Sequence, residues 1–224
     1  MPDNNFQFSG YLEPEEVRSI INTVPRVSRH AERDQLLLEL LWQSGSRVSE
    51  SITLVPERIG MTSVVLQNLK QYKRVKSKVP GEQPTRVSNP TAMKEVEVSA
   101  QLCIDLKAFC DKNRIPEGEY VFHADKGQGH MRRWYVWKMI TKASEEARVY
   151  RFGKRNIRTG GRFKGAFPHL LRHSSGMAML EETSNIALVQ KQLGHASVQT
   201  TQIYAYVKEK NIKKAISKIN WYKS

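Results

Sequence analysis

The chain has 224 residues, a length that suits one domain of ordinary core size or one domain with a small appendage. Its 36 Lys and Arg against 22 Asp and Glu give a net charge of +14, the footprint of a nucleic-acid binder, because cations that neutralise phosphates supply most non-specific affinity. No run of about 18 apolar residues occurs, and the start MPDNNFQFSG lacks a charged segment followed by an apolar one, so a membrane span and a secretory signal are both unsupported and a cytoplasmic location is expected.

Residues 1–10 read as a flexible start. Residues 11–24 read as a helix, with Pro14 in its first turn, Glu15 and Glu16 at the favourable end of its dipole, and Val17, Ile20, Ile21 and Val24 as one apolar stripe. From Asp34 the run QLLLELLW reads as a mostly buried helix that Gly45 ends; RVSESITL then starts a short helical segment and puts Arg47 just after a tight turn. Residues 62–69 and 93–98 read as strands, the second by alternation of Met and Val with Lys and Glu. Between them lies a stretch rich in Lys, Arg and Pro, expected to be a long, mobile hairpin loop carrying Lys70, Lys73, Arg74, Lys76 and Lys78.

Ser99 is expected to cap a helix whose face holds Leu102, Cys103, Leu106, Phe109 and Cys110, which makes the two cysteines core residues rather than a disulfide or metal pair. A short strand is expected at 119–123. The helix expected at 131–148 is read as apolar through Trp134, Trp137 and Ile140, both tryptophans being taken as core, and basic through Arg132, Arg133 and Lys138. A second basic loop follows, with Arg151, Lys154, Arg155, Arg158, Arg162 and Lys164 and no acid among them. Helices fill the rest: one opened by Pro168, one capped by Ser184 and ended by Gly194, one capped by Ser197 and carrying Tyr204, and a basic amphipathic tail at 211–221. The fold class expected is mainly α with a small antiparallel β-sheet, an α+β arrangement in one domain over 11–224.

Within PHLLRHSSGMAMLEETSNIALVQKQLGHASVQTTQIY, His169 and Arg172 stand three apart and so share a helix face, His195 follows Gly194, and Tyr204 comes nine residues later. A phosphodiester cut and resealed without a metal needs charge on its non-bridging oxygens to be held, and two guanidinium groups, each gripping two oxygens, suit this; Arg47 and Arg172 are a candidate pair. It needs a nucleophile, which a Tyr supplies once its proton is shared, and an acid for the departing sugar oxygen, which a Lys can be. Taken singly, Tyr204 reads as a half-buried aromatic, His169 as a capping or core histidine and Arg47 as a surface residue.

These residues carry a resemblance to the tyrosine recombinase (phage integrase, Xer-like) family: His-x-x-Arg, Leu-Gly-His and Thr-Thr-x-x-Tyr, preceded by LLWQSGSRVSESITL, which is similar to the family's first arginine motif. The resemblance covers most of the chain and only the family's catalytic domain; too little sequence precedes Tyr11 for the family's N-terminal core-binding domain, so either a fragment or a minimal recombinase is expected. It implies site-specific recombination of double-stranded DNA through a 3′-phosphotyrosyl intermediate at Tyr204, without metal, ATP or another cofactor. It further implies that Arg47 and Arg172 clamp the phosphate, that His169 and His195 hydrogen-bond it, that Glu50 supports Arg47, and that a homotetramer forms on DNA through C-terminal segments. The family's general-acid Lys sits in the turn after the second strand, which puts Lys70 first and Lys73 next, with Lys76, Lys78 and Lys94 still open. The other readings are a non-catalytic DNA-binding relative, a relaxing type IB topoisomerase, Tyr206 in place of Tyr204, and a zinc site at His169 and His173, which lacks the Glu that a helical HExxH pair needs.

Overall fold

The computed structural model describes residues 11–68, 92–124, 129–150 and 165–194, together with the backbone of 72–75 and 85–88. Seven α-helices and two small two-stranded sheets occur among them. Helix α1 (Pro14–Val27) begins with Pro14, and Glu16 reaches back to the Glu13 N–H at 2.9 Å; its stripe of Val17, Ile20, Ile21 and Val24 is buried as the spacing predicts. Helix α2 (Ala31–Ser44) starts three residues before Asp34 and buries Leu36, Leu37, Leu38, Leu40 and Leu41. Both α2 and α5 (Arg133–Glu146) pack on α1, and α6 (Pro168–Thr183) packs on α2.

Asp34, fully buried, fixes the turn of α5 on α2: it accepts from the Tyr135 hydroxyl at 2.8 Å and the Ser28 hydroxyl at 2.6 Å, while Arg33 pairs with it at 2.9 Å. With Tyr135 drawn toward α2, the buried face of α5 is Val136, Met139, Ile140 and Ala143, whereas Trp134 and Trp137 stand open to solvent. Reading the two tryptophans as core is therefore wrong. The row 134, 137, 140 follows the right period, but the helix is rotated so that only Ile140 of that row faces inward.

Strand β1 (Ser63–Gln67) pairs antiparallel with β4 (Met93–Glu97), with Val64 opposite Val96 and Leu66 opposite Lys94. Val64, Leu66 and Val96 are buried and Met93 is exposed, so the inward face of β4 carries Lys94 and Val96. The expected grouping of Met93 with the valines breaks the period of two, since Met93 and Val96 have opposite parity. The stretch expected to be all loop contains a second antiparallel pair, β2 (Tyr72–Val75) with β3 (Thr85–Ser88), which places the backbone of Lys73 and Arg74 on a strand. Residues 119–123 form a turn that ends in an isolated bridge from His123 to His130, not a strand.

Ser99 caps α4 (Ala100–Lys112) by accepting from the Leu102 N–H at 3.2 Å, and Cys103 and Cys110 are free thiols in the core. Burial pushes the Cys110 thiol up to about 11. Pro168 opens α6 as expected, but the cap of α7 (Ile186–Leu193) is Asn185, whose side chain accepts from the Ala187 and Leu188 N–H groups; Ser184, at φ +52°, instead closes α6. No described helix is long and apolar enough to cross a membrane.

Candidate active site

Two turns of the chain converge on Arg172. Helix α2 ends at Gly45, whose φ of +57° turns the chain back with its carbonyl directed inward. Hydroxyls of Ser44, Ser46 and Ser51 bond in series through this turn and hold the start of α3 (Val48–Ser51). Helix α7 ends at Gly194, also left-handed at φ +64°, and Gln192 clamps that end to β4 with bonds to the Glu97 carbonyl at 2.6 Å and from its N–H at 3.1 Å. Arg172, one turn into α6 and 7% exposed, donates to both turns: one guanidinium nitrogen to the Gly45 carbonyl, the other to the Leu193 carbonyl at 2.8 Å. Only a planar fork of donors spans two carbonyls in this way.

Arg47 is the residue before α3, and Glu50 folds back on it. The Glu50 carboxylate, fully buried, accepts from Arg47 Nη1 at 2.7 Å and from the Arg47 backbone N–H at 3.1 Å. Its second oxygen lies 2.8 Å from Lys94 Nζ. Lys94 arrives from the inward face of β4 and lies against Gly194, where an added Cβ would sit 3.5 Å from its Cδ. Three cations, Arg47, Lys94 and Arg172, thus gather around one carboxylate among the described residues, an excess of two positive charges.

The charge states follow from this crowding. Burial disfavours the Glu50 carboxylate, but the Lys94 ammonium and the bonds from Arg47 outweigh it and hold its pKa below the ordinary 4.5. Burial lowers the Lys94 pKa from its usual value; Glu50 opposes this, while Arg172 and Arg47 add to it. Arg172 falls to about 10, through burial first and Arg47 second, and it remains a cation at neutral pH.

An open cleft of about 540 Å³ runs past this cluster, lined by Arg47, Arg172, His169, Arg133, Trp134 and Trp137 among others. His169 and Arg172 meet the same cleft, as their spacing on a helix predicts; His169 is exposed and Arg172 deep. His173, the other half of the candidate zinc pair, packs edge-on against Tyr11, 6.3 Å between ring centroids. Arg132 and Arg133 are exposed at the start of α5. The remaining candidates Lys70, Lys76, Lys78, Arg151, Lys154, Arg155, Arg158, Arg162, Lys164, His195, Tyr204 and Tyr206 lie outside the described residues, as do the last two helices expected from sequence.

Sequence reasoning left Lys94 as one of several open lysines and did not see its ion pair with Glu50. The signal was present, since Lys94 shares parity with Val96 on a half-buried strand, and an inward lysine needs a buried carboxylate. It also treated Arg172 as a ligand group alone and missed that its guanidinium ties two turns together.

The profile of the phage integrase family matches residues 10–211. Tyrosine recombinase XerA of Pyrococcus furiosus is 28% identical over 211 residues, which cover 93% of this chain and 61% of that protein. Tyrosine recombinase XerD of Staphylococcus aureus is 27% identical over 203 residues, covering 91% of the chain and 60% of that protein. The chain thus spans about three fifths of the length of these relatives. Among solved structures, the XerH site-specific recombinase bound to a palindromic difH substrate superposes with a TM-score of 0.65 at 20% identity, covering 93% of this chain and 52% of that one. The catalytic domain of bacteriophage HP1 integrase superposes at 0.54 and 17% identity, covering 94% and 95%. These two likenesses show a shared fold. With a family match across nearly its whole length, the chain belongs to the phage integrase family.

Proposed function

We propose that the chain is the catalytic domain of a tyrosine recombinase, occupying 11–224, that cuts and rejoins strands of double-stranded DNA. The observation that carries this reading is the excess of positive charge at the cleft: among the described residues Arg47 and Arg172, with Lys94 behind them, outnumber the carboxylate of Glu50 and suit a doubly charged pentacoordinate phosphorane. Preorganised cations of this kind act where charge develops in the transition state and cost no reorganisation at that moment. The relatives named XerA and XerD support the same reading.

In the proposed reaction the Tyr204 phenolic oxygen attacks phosphorus, the bond from phosphorus to the 5′ oxygen breaks, and a 3′-phosphotyrosyl bond forms. The phenolic proton passes to a neighbouring base, with His169 and His195 as the hydrogen-bonding pair on the phosphate. The departing 5′ oxygen takes a proton from Lys70, the lysine that the family pattern puts first. Attack by a 5′-hydroxyl of the partner strand reverses these steps, so bond energy is conserved with no metal or nucleotide cofactor. Lys94 is not the proton donor in this account: its ammonium is bound to Glu50, whose other oxygen holds Arg47, which makes it a positioning group. Arg132, Arg133, Lys73, Arg74 and the basic stretch from Arg151 to Lys164 contact the flanking backbone, and four subunits assemble on DNA through C-terminal segments.

The test is a library of random duplexes nicked beside the scissile position, so that a cleaved strand cannot religate. The wild type should yield an adduct that survives denaturant and forms in EDTA, and Tyr204→Phe should yield none. An adduct persisting in Tyr204→Phe overturns the nucleophile; wild-type binding without any adduct overturns the enzyme reading in favour of a DNA-binding relative.

A further inference from the structure

Two tryptophans stand in solvent beside the cationic cleft, Trp134 at 64% exposure and Trp137 at 38%, and both line it with Arg47, His169 and Arg172. Large aromatics left in water at the edge of a functional cleft mark a contact surface, because each holds apolar area whose burial is still available. Their position is set from inside the protein: the Tyr135 hydroxyl on buried Asp34, and Val136 and Met139 in the core, fix the rotation of α5 that turns both indoles outward. The surroundings narrow the occupant. Arg133 lines the same cleft, and Lys138 lies over the Trp134 ring with its Nζ 5.1 Å from the centroid. Aromatic surface bordered by Arg47, Arg133, Lys138 and Arg172 fits a ligand that is apolar in its rings and anionic between them, a nucleotide chain rather than a protein helix.

We propose that Trp134 and Trp137 form a ledge packing against the deoxyribose and base of the nucleotide next to the phosphate held by Arg47 and Arg172, a duplex-DNA subsite that seats the strand for attack. This rests on reading the cleft as the scissile-phosphate site. The contact is apolar, so it tolerates any base and leaves the count of neutralised phosphates unchanged.

The test titrates the full chain with short random-sequence duplexes and follows indole fluorescence and affinity across a salt series. Duplex should quench the wild type. Trp134→Phe and Trp137→Phe should each remove part of that quenching, and Trp42→Phe none. The double variant Trp134→Ala/Trp137→Ala should bind roughly 2- to 10-fold more weakly with an unchanged salt slope, whereas Arg133→Ala should flatten the slope by about one. Thermal melting checks that the double variant is folded; if it is not, the double Phe variant replaces it and the loss of quenching decides. Quenching that survives unaltered in both Phe variants, wild-type affinity in the double Ala variant, or a loss that appears wholly as a changed slope overturns the ledge. If those results come with normal adduct formation, the phosphate reading stands and the ledge alone falls; absence of any duplex binding by the wild type overturns both.

Discussion

Replacing Glu50 with Gln keeps its shape and removes the carboxylate that three cations surround among the described residues. In the wild type its oxygens meet Arg47 Nη1 at 2.7 Å, the Arg47 N–H at 3.1 Å and Lys94 Nζ at 2.8 Å, with the Glu50 side chain fully buried and that of Lys94 10% exposed. Glu50→Gln leaves the buried Lys94 ammonium facing Arg47 and Arg172 with no counter-charge among the described residues. Removing one partner of a buried pair costs about 3–5 kcal/mol, and the amide oxygen, still able to accept, brings the expected loss to the lower end, about 3 kcal/mol. Lys94→Met should cost less, about 1–2 kcal/mol, because Arg47 stays on the carboxylate and a methionine fills the stem's place against Leu66 and Gly194. Urea denaturation of both single variants and the double variant closes the cycle. The double variant should lose at least ~1 kcal/mol less than the sum of the singles.

The acid limb of the same experiment carries a sign. Glu50 has a folded-state pKa below its unfolded value of 4.5, so its contribution is fully present above that value and is lost as pH falls through the folded-state one. Glu50→Gln should therefore flatten the fall of stability below pH 4.5. Lys94 has a folded-state pKa below its unfolded value of 10.5, so the unfolded chain binds the proton more tightly and its contribution improves as pH rises toward 10.5. Additive single variants, a loss under about 0.5 kcal/mol for Glu50→Gln, or an unaltered acid limb would refute the buried triad.

Arg172→Lys keeps the charge but cannot bond the Gly45 and Leu193 carbonyls together, so it should lose about 2–3 kcal/mol in denaturant and lower adduct yield at least tenfold; wild-type stability would show that the fork carries no structural load. Gly45→Ala drives a Cβ into Leu193 Cδ2 and to 3.0 Å from Ser175 Oγ at a φ of +57°, so it should destabilise by about 1–3 kcal/mol and, by shifting the carbonyl that anchors Arg172, slow cleavage as well. Stability lost with cleavage unaffected would uncouple that turn from the site.

Features written in local spacing were the legible ones. The stripe of α1, the buried run of α2, the stop at Gly45, the cap at Ser99 and the pairing of His169 with Arg172 on one cleft all follow from periods and caps that a single stretch of chain contains. Long-range partners decided the rest. Nothing within α5 tells which of two neighbouring rows is buried until Tyr135 is seen bonded to Asp34, 101 positions away. Lys94 and Glu50 come together only through the register of β4 on β1 and the turn after α2. The short β2 and β3 pair was hidden because each strand is only four residues long, Lys73, Arg74 and Arg86 interrupt its apolar pattern, and Pro80, Pro84 and Pro90 lie close by in sequence. The cap after α6 slipped by one residue because Ser184 and Asn185 are both good cap residues, and the left-handed turn took the first.

The central claim is that a tyrosine, held to phosphorus by the Arg47 and Arg172 cluster, becomes covalently joined to DNA. Its most direct measurement is mass spectrometry of the trapped adduct after nuclease and protease digestion, reading which residue carries the residual 3′-phosphonucleotide. The account predicts that mass on Tyr204, and its loss in Arg47→Ala and Arg172→Ala. A nucleotide on Tyr206 or on any other residue, or an adduct on Tyr204 formed equally well without the two arginines, would contradict it.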